Sequence, residues 1–117
     1  VSLVPQKFMM KNLYINKGSK GGLQYHRLKD EVHVIIKGKM LITYDNGDGE
    51  LIDKVLVEGD VAHYPPGTIH QEEALEDCYI IEGSTNHFND RVRCEDLYGV
   101  EVLEGLPSTN PEEIIEK

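Results

Sequence analysis

This 117-residue chain predicts an all-β domain, an antiparallel sandwich or barrel with one short helix at its end. Three observations carry that expectation. Short β-prone stretches recur at roughly 8–12-residue spacing with Gly, Asp and Asn between them. No long stretch shows the 3.6-residue period of an amphipathic helix. Hydrophobic residues make up 39% of the chain, enough for a core at a length where folding buries roughly two thirds of the unfolded surface.

The elements follow in order. Residues 7–16 alternate polar and apolar side chains, with Phe8, Met10, Leu13, Tyr14 and Ile15 supplying bulk. Lys17-Gly18-Ser19-Lys20-Gly21-Gly22 is a loop by composition. Strands are then expected over 23–28, 32–37, 40–44, 51–57, 61–64, 68–73 and 78–82. Gly38, Asn46-Gly47-Asp48-Gly49, Gly59-Asp60 and Pro65-Pro66-Gly67 punctuate them. Asp45-Asn46-Gly47 reads as a hairpin with a tight type I′ turn, because Asn-Gly accepts positive φ angles. Only 110–115 reads as helix, with Asn110 as cap, Pro111 at the first helical position, and Glu112 and Glu113 in the first turn. No repeat or low-complexity segment interrupts this, so one domain is expected over 1–117.

Twelve Lys and Arg against twenty-one Asp and Glu give a net charge of −9 and a pI near 4.9. A field of that sign argues against nucleic acid and anionic membranes as partners. No apolar run approaches the ~18 residues of a membrane span, and no secretory pattern opens the sequence. Cys78 and Cys94 allow at most one bridge and form no CxxC clip. A cytoplasmic protein with a small-molecule ligand is the expectation.

Five histidines are present: His26, His33, His63, His70 and His87. Side chains two apart on a strand share a face, which pairs Gln24 with His26 and Glu31 with His33. Carboxylate and imidazole groups gathered from adjacent strands make a nitrogen–oxygen site for a divalent metal, zinc first, with iron, manganese, nickel or cobalt as alternatives. Glu82, after Ile80-Ile81, reads as an inward-facing acid needing either a partner, with Arg91 and Arg93 as candidates, or a raised pKa suited to proton transfer. His87 reads as a surface loop residue and Glu72-Glu73 as a solvated acidic pair.

Spacing adds more. Residues 59–70 contain Gly59, five residues, Pro65-Pro66-Gly67, two residues, then His70; upstream, six residues separate Glu31 from Gly38, with His26 before them. These resemble the second and first motifs of the cupins, over about 59–74 and 22–38. The resemblance implies a double-stranded β-helix, or jelly-roll, barrel with His26, Glu31 and His70 as metal ligands. Leu28 stands where the first motif usually has a second His, and Gln24 offers an amide oxygen in its place. Ala74 replaces the Asn that often closes the second motif.

From about residue 11 to 99 the chain is similar to the type II mannose-6-phosphate isomerase cupin domain. The likeness rests on Gln24-Tyr25-His26 through Glu31, on Ile81-Glu82-Gly83-Ser84-Thr85, and on Asp90-Arg91-Val92-Arg93-Cys94-Glu95-Asp96-Leu97-Tyr98-Gly99. Lys29 and Val100 stand where that group carries Arg. It implies a metal-dependent aldose–ketose isomerase of a sugar or sugar phosphate. Gln24, His26, Glu31 and His70 would hold the metal; His33, Lys29 or Glu82 would move the proton; Arg93, Lys29 and Arg91 would hold phosphate. Two other classes fit the same residues: a non-haem metal oxygenase using His26, His70 and Glu31, and a non-catalytic carbohydrate-binding module. A homodimer is expected, with 7–16 adding to a neighbour's sheet edge.

Overall fold

The computed structural model describes residues 7–87, 90–102 and 108. In these the punctuation cuts the chain into β1 (Phe8–Ile15), β2 (Gln24–Tyr25), β3 (Glu31–Lys37), β4 (Lys39–Asp45), β5 (Leu51–Val57), β6 (Val61–Tyr64), β7 (His70–Ala74), β8 (Cys78–Thr85), β9 (Val92–Arg93) and α1 (Glu95–Tyr98). Antiparallel pairing sorts the strands into two sheets, ordered β1-β8-β3-β6 and β5-β4-β7-β2-β9. This is the all-β jelly-roll arrangement expected from the sequence.

Alternation along each strand gives the barrel two chemically distinct ends. On β3 the buried side chains are Glu31, His33 and Ile35, and on β8 they are Cys78, Ile80, Glu82 and Ser84. Register sets like against like: Ile35 faces Ile80, His33 faces Glu82, and Glu31 faces Ser84. Ile35 and Ile80 join Met40, Ile42, Leu56, Ala62, Ala74 and Cys78 in an apolar core. The polar members of the same strands converge at the other end, so one strand period builds both the core and the site.

The chain passes from β3 to β4, and so between sheets, through Gly38 alone. Its φ is +99°, and a Cβ there would lie 2.4 Å from the Asp77 carbonyl oxygen. Both the backbone angle and the space require glycine.

Several expectations are corrected. The predicted strand 23–28 shrinks to Gln24–Tyr25, because the amides of Arg27, Leu28 and Lys29 go to the Asp90 carboxylate instead of a ladder. The strand begun at Cys78 continues to Thr85, paired on both sides with β1 and β3. The β4–β5 hairpin is present, but its loop spans 46–50 rather than two residues. Asp45 Oδ1 accepts the Gly47 and Gly49 amides at 2.7 and 3.2 Å, an Asx closure that competes with the type I′ turn. Short β9 and α1 are additions. The helix expected over 110–115 lies outside the described residues.

Cys78 and Cys94 are both free and buried. Among the described residues no helix is long and apolar enough to cross a membrane.

Candidate metal centre

Glu31, the first residue of β3, is 3% exposed and stands at the centre of the polar end. Its Oε1 lies 3.4 Å from His26 Nε2 and 3.4 Å from His70 Nε2. The other nitrogen of each ring is already committed. His70 Nδ1 donates to the Thr68 carbonyl at 2.8 Å, and His26 Nδ1 donates to the Asp90 carbonyl. This fixes the tautomer that leaves each Nε2 lone pair directed at Glu31, as outer partners do in metal-binding histidines. Two lone pairs aimed at one carboxylate oxygen repel unless a cation lies between them. The spacing fits one: a tetrahedral ion with bonds of about 2.0–2.1 Å sets its donor atoms about 3.3 Å apart. The chemistry and geometry of His26, Glu31 and His70 therefore suit a divalent metal.

Gln24 lines the same cavity and is in register with His70 across the β2–β7 pair. Gly67, in the turn before His70, donates its amide to the His26 carbonyl at 2.8 Å, joining the two motif loops.

Beside the triad runs a buried charge network. His33 Nε2 is 3.2 Å from Glu82 Oε1 and 3.4 Å from Glu31 Oε2, while its Nδ1 is 3.0 Å from Glu72 Oε2. Burial alone would lower the His33 pKa, but hydrogen bonds to Glu31, Glu72 and Glu82 outweigh it and push it up to about 12. Both ring nitrogens are donors, so His33 is an imidazolium. Burial alone would likewise raise Glu31, yet the His33 imidazolium, by hydrogen bond and by charge, holds it well below the usual carboxylate range. Against burial, the hydrogen bond from His33 and the charge of Lys29 bring Glu82 down to about 2. Lys29 Nζ bridges Glu82 Oε2 at 3.1 Å and Glu31 Oε2 at 3.5 Å. Glu82 thus faces inward as expected, but as a paired carboxylate. The cations beside it are Lys29 and the His33 imidazolium.

These groups open onto a cavity of about 400 Å³. Gln24, His26, Lys29, Glu31, His33, His70, Glu82 and Arg91 all line it. Arg93 is the one candidate site residue outside that lining: it turns to Glu95, with its Nε 3.1 Å from Oε1 and its terminal nitrogen on Oε2. Four Lys and Arg side chains in the wall (Lys11, Lys20, Lys29 and Arg91) outnumber three carboxylates, Glu31, Glu72 and Glu82. The cavity is locally positive in a protein of net charge −9.

Two site residues were missed in the sequence. Glu72 is a cavity residue rather than solvated surface, and its Oε2 accepts both His33 Nδ1 and the Tyr64 hydroxyl, the latter at 2.9 Å. Tyr64 stacks on the His70 ring, centroids 4.0 Å apart and planes 11° from parallel. Burial and then the Glu72 charge hold its phenol far above the ordinary range, so it stays a donor. Glu72 was legible in principle: two residues beyond His70, it shares that residue's face. His63 is exposed and pairs with Asp30 at 2.7 Å, away from the cavity.

No curated protein matches the chain in sequence. Solved structures match it in fold. A sugar phosphate isomerase of the cupin superfamily from Silicibacter pomeroyi has a TM-score of 0.63 and 19% identity, over 77% of this chain and 58% of its own. KdgF from Halomonas sp. has a TM-score of 0.59 and 20% identity, over 78% and 74%. An oxalate decarboxylase variant from Bacillus subtilis has a TM-score of 0.61 and 22% identity, over 68% of this chain but 21% of its own. Such identities show the fold. The cupin family model matches residues 6–109, nearly the whole length over which strands, motifs and donor triad have been traced; the chain belongs to the cupin family.

Proposed function

We propose that this cupin is a metal-dependent aldose–ketose isomerase of a small sugar phosphate, with mannose 6-phosphate the first substrate to test. The observation that carries the reading is the meeting of a metal-competent triad with proton-donating and proton-accepting groups in one locally positive cavity. A divalent ion held by His26, Glu31 and His70, with Gln24 as a fourth ligand and zinc as the first choice, would supply the Lewis acidity that polarises the sugar carbonyl and its neighbouring hydroxyl.

The remaining residues account for the proton movements. Isomerisation takes a proton from C2 and returns one to C1, while a hydroxyl proton crosses from O2 to O1. His33, Lys29 and Glu82, which line the cavity beside the triad, are the groups that would carry these protons. Lys29 balances charge between Glu31 and Glu82. Arg91, with Lys11 and Lys20, supplies the positive wall that a phosphate needs. A sugar phosphate isomerase, that of Silicibacter pomeroyi, has the same fold, which supports the reading.

The test is conversion of mannose 6-phosphate to fructose 6-phosphate by protein of measured zinc, cobalt or manganese content, with neutral mannose alongside. Metal-replete protein that interconverts no aldose–ketose pair would exclude the isomerase. Two histidines and one carboxylate also make an open non-haem iron site, which favours an oxygenase as second reading. Oxygen uptake by the iron-loaded protein separates the two.

A further inference from the structure

Residues 26–29, between β2 and β3, join no ladder, yet one side chain satisfies the backbone amides of 27, 28 and 29. The Asp90 carboxylate accepts the Arg27 N–H through Oδ1 at 3.0 Å, and the Leu28 and Lys29 N–H groups through Oδ2 at 2.7 and 2.9 Å. Its own carbonyl accepts His26 Nδ1–H. Three consecutive N–H groups turned to one point make an anion-binding concavity, and the chain fills it with its own carboxylate, 3% exposed. With both oxygens engaged, the direction of the segment is fixed. The two side chains at its ends then reach the same acid: His26 Nε2 comes to 3.4 Å from Glu31 Oε1, and Lys29 Nζ to 3.5 Å from Oε2. The residue after Asp90 is Arg91, in the cavity wall.

We propose that Asp90 is the positioning residue of this centre: its carboxylate and carbonyl together set His26 as a metal ligand and Lys29 as the charged neighbour of the triad. A side chain 64 positions along the chain from His26 thus decides whether the donors are assembled. The proposal rests on the metal-binding reading of the triad but not on the isomerase reading. Asp90 touches no substrate and acts only through the residues it holds.

The test is zinc affinity, measured by competition against a chelator, for wild type, Asp90→Asn, His26→Ala and the double variant. Asparagine keeps the size of aspartate but turns an NH2 group toward amide donors. We expect Asp90→Asn to weaken zinc binding by about 10- to 100-fold, the usual loss on removing a partner that orients a ligand. In the His26→Ala background the same change should cost at most about twofold, because its effect passes through His26. Leu56→Ala, in the apolar core, should lower the melting temperature without moving zinc affinity. That contrast separates positioning from general destabilisation.

If Asp90→Asn does not fold, amide hydrogen exchange in the wild type takes its place. The amides of Arg27, Leu28 and Lys29 should exchange slowly and slow further on zinc addition; fast exchange unaffected by zinc would overturn the proposal. A folded Asp90→Asn that binds zinc within twofold of wild type would overturn it alone, as would losses that simply add in the double variant. Wild-type protein that binds no zinc would overturn the metal reading and this proposal with it.

Discussion

Replacing His33 with Gln tests the charge network most directly. The imidazolium lies within 3.0–3.4 Å of Glu72, Glu82 and Glu31. Without it three carboxylates share the cavity, with Lys29 as the cation bridging two of them. Removing one member of a buried ion pair costs about 3–5 kcal/mol, and the lower end applies because the cavity opens to solvent. A loss of about 3 kcal/mol near pH 6 is therefore expected. Its pH dependence has a definite sign. The folded protein keeps the His33 proton to about pH 12, whereas the unfolded chain releases it near 6.5. The contribution is complete below pH 6.5, and between those limits wild-type stability falls by about 1.4 kcal/mol per pH unit from this group. His33→Gln lacks that slope, so the two proteins draw together by about 2 kcal/mol between pH 6.5 and 8. Below about pH 4.5 they draw together again, as the variant's uncompensated carboxyls take up protons. Urea unfolding followed by circular dichroism, with chelator present to remove metal, measures this from pH 4 to 8.5. Parallel stability profiles, or a gap below about 1 kcal/mol at pH 6, would refute an imidazolium held by three acids.

Other expectations separate residues that the sequence grouped together. Arg91→Ala should raise KM for the sugar phosphate about tenfold or more, the loss of one charge-assisted contact. Arg93→Ala should leave KM unaltered and lower stability by about 3 kcal/mol, because Glu95 is 2% exposed and loses its guanidinium. Gln24→Ala should weaken zinc binding less than His70→Ala in the same chelator competition, since it removes a neutral ligand. Gly38→Ala should cost at least about 3 kcal/mol by urea unfolding, from the left-handed backbone and the Asp77 carbonyl together; Gly47→Ala, with a φ of +100° but open space around it, should cost about 1 kcal/mol.

Most of the barrel could be read from the sequence, because strand alternation is a local rule, whereas the set His26, Glu31 and His70 came with the motif resemblance. Period-two alternation placed Glu31 with His33 and turned Glu82 inward, and the spacing from Gly59 to His70 marked the second motif. What escaped depended on long-range pairing. Which acid meets Lys29 is settled by the β3–β8 register, which sets His33 opposite Glu82. Arg91 and Arg93 are two residues apart, yet one lines the cavity while the other lies against Gly22, where a Cβ would come within 2.4 Å of its guanidinium. Asp90 carries no local signal, since its partners are amides some sixty residues earlier. Helix α1 did carry one, in Glu95 and Asp96 at its first turn and Gly99 at its left-handed end, but four residues are too few for a periodic pattern.

The triad also has a mechanical side. Glu31 belongs to the four-stranded sheet, His70 to the five-stranded one, and His26 follows β2 of the latter. An ion gripped by all three would be a rivet between layers, fastening the polar end of the barrel, away from the apolar core of Ile35 and Ile80. The grip of that rivet follows mass action. With free metal at a thousand times the dissociation constant, the two sheets would be held together by about 4 kcal/mol more than in its absence, and the polar end would loosen first wherever the metal supply falls.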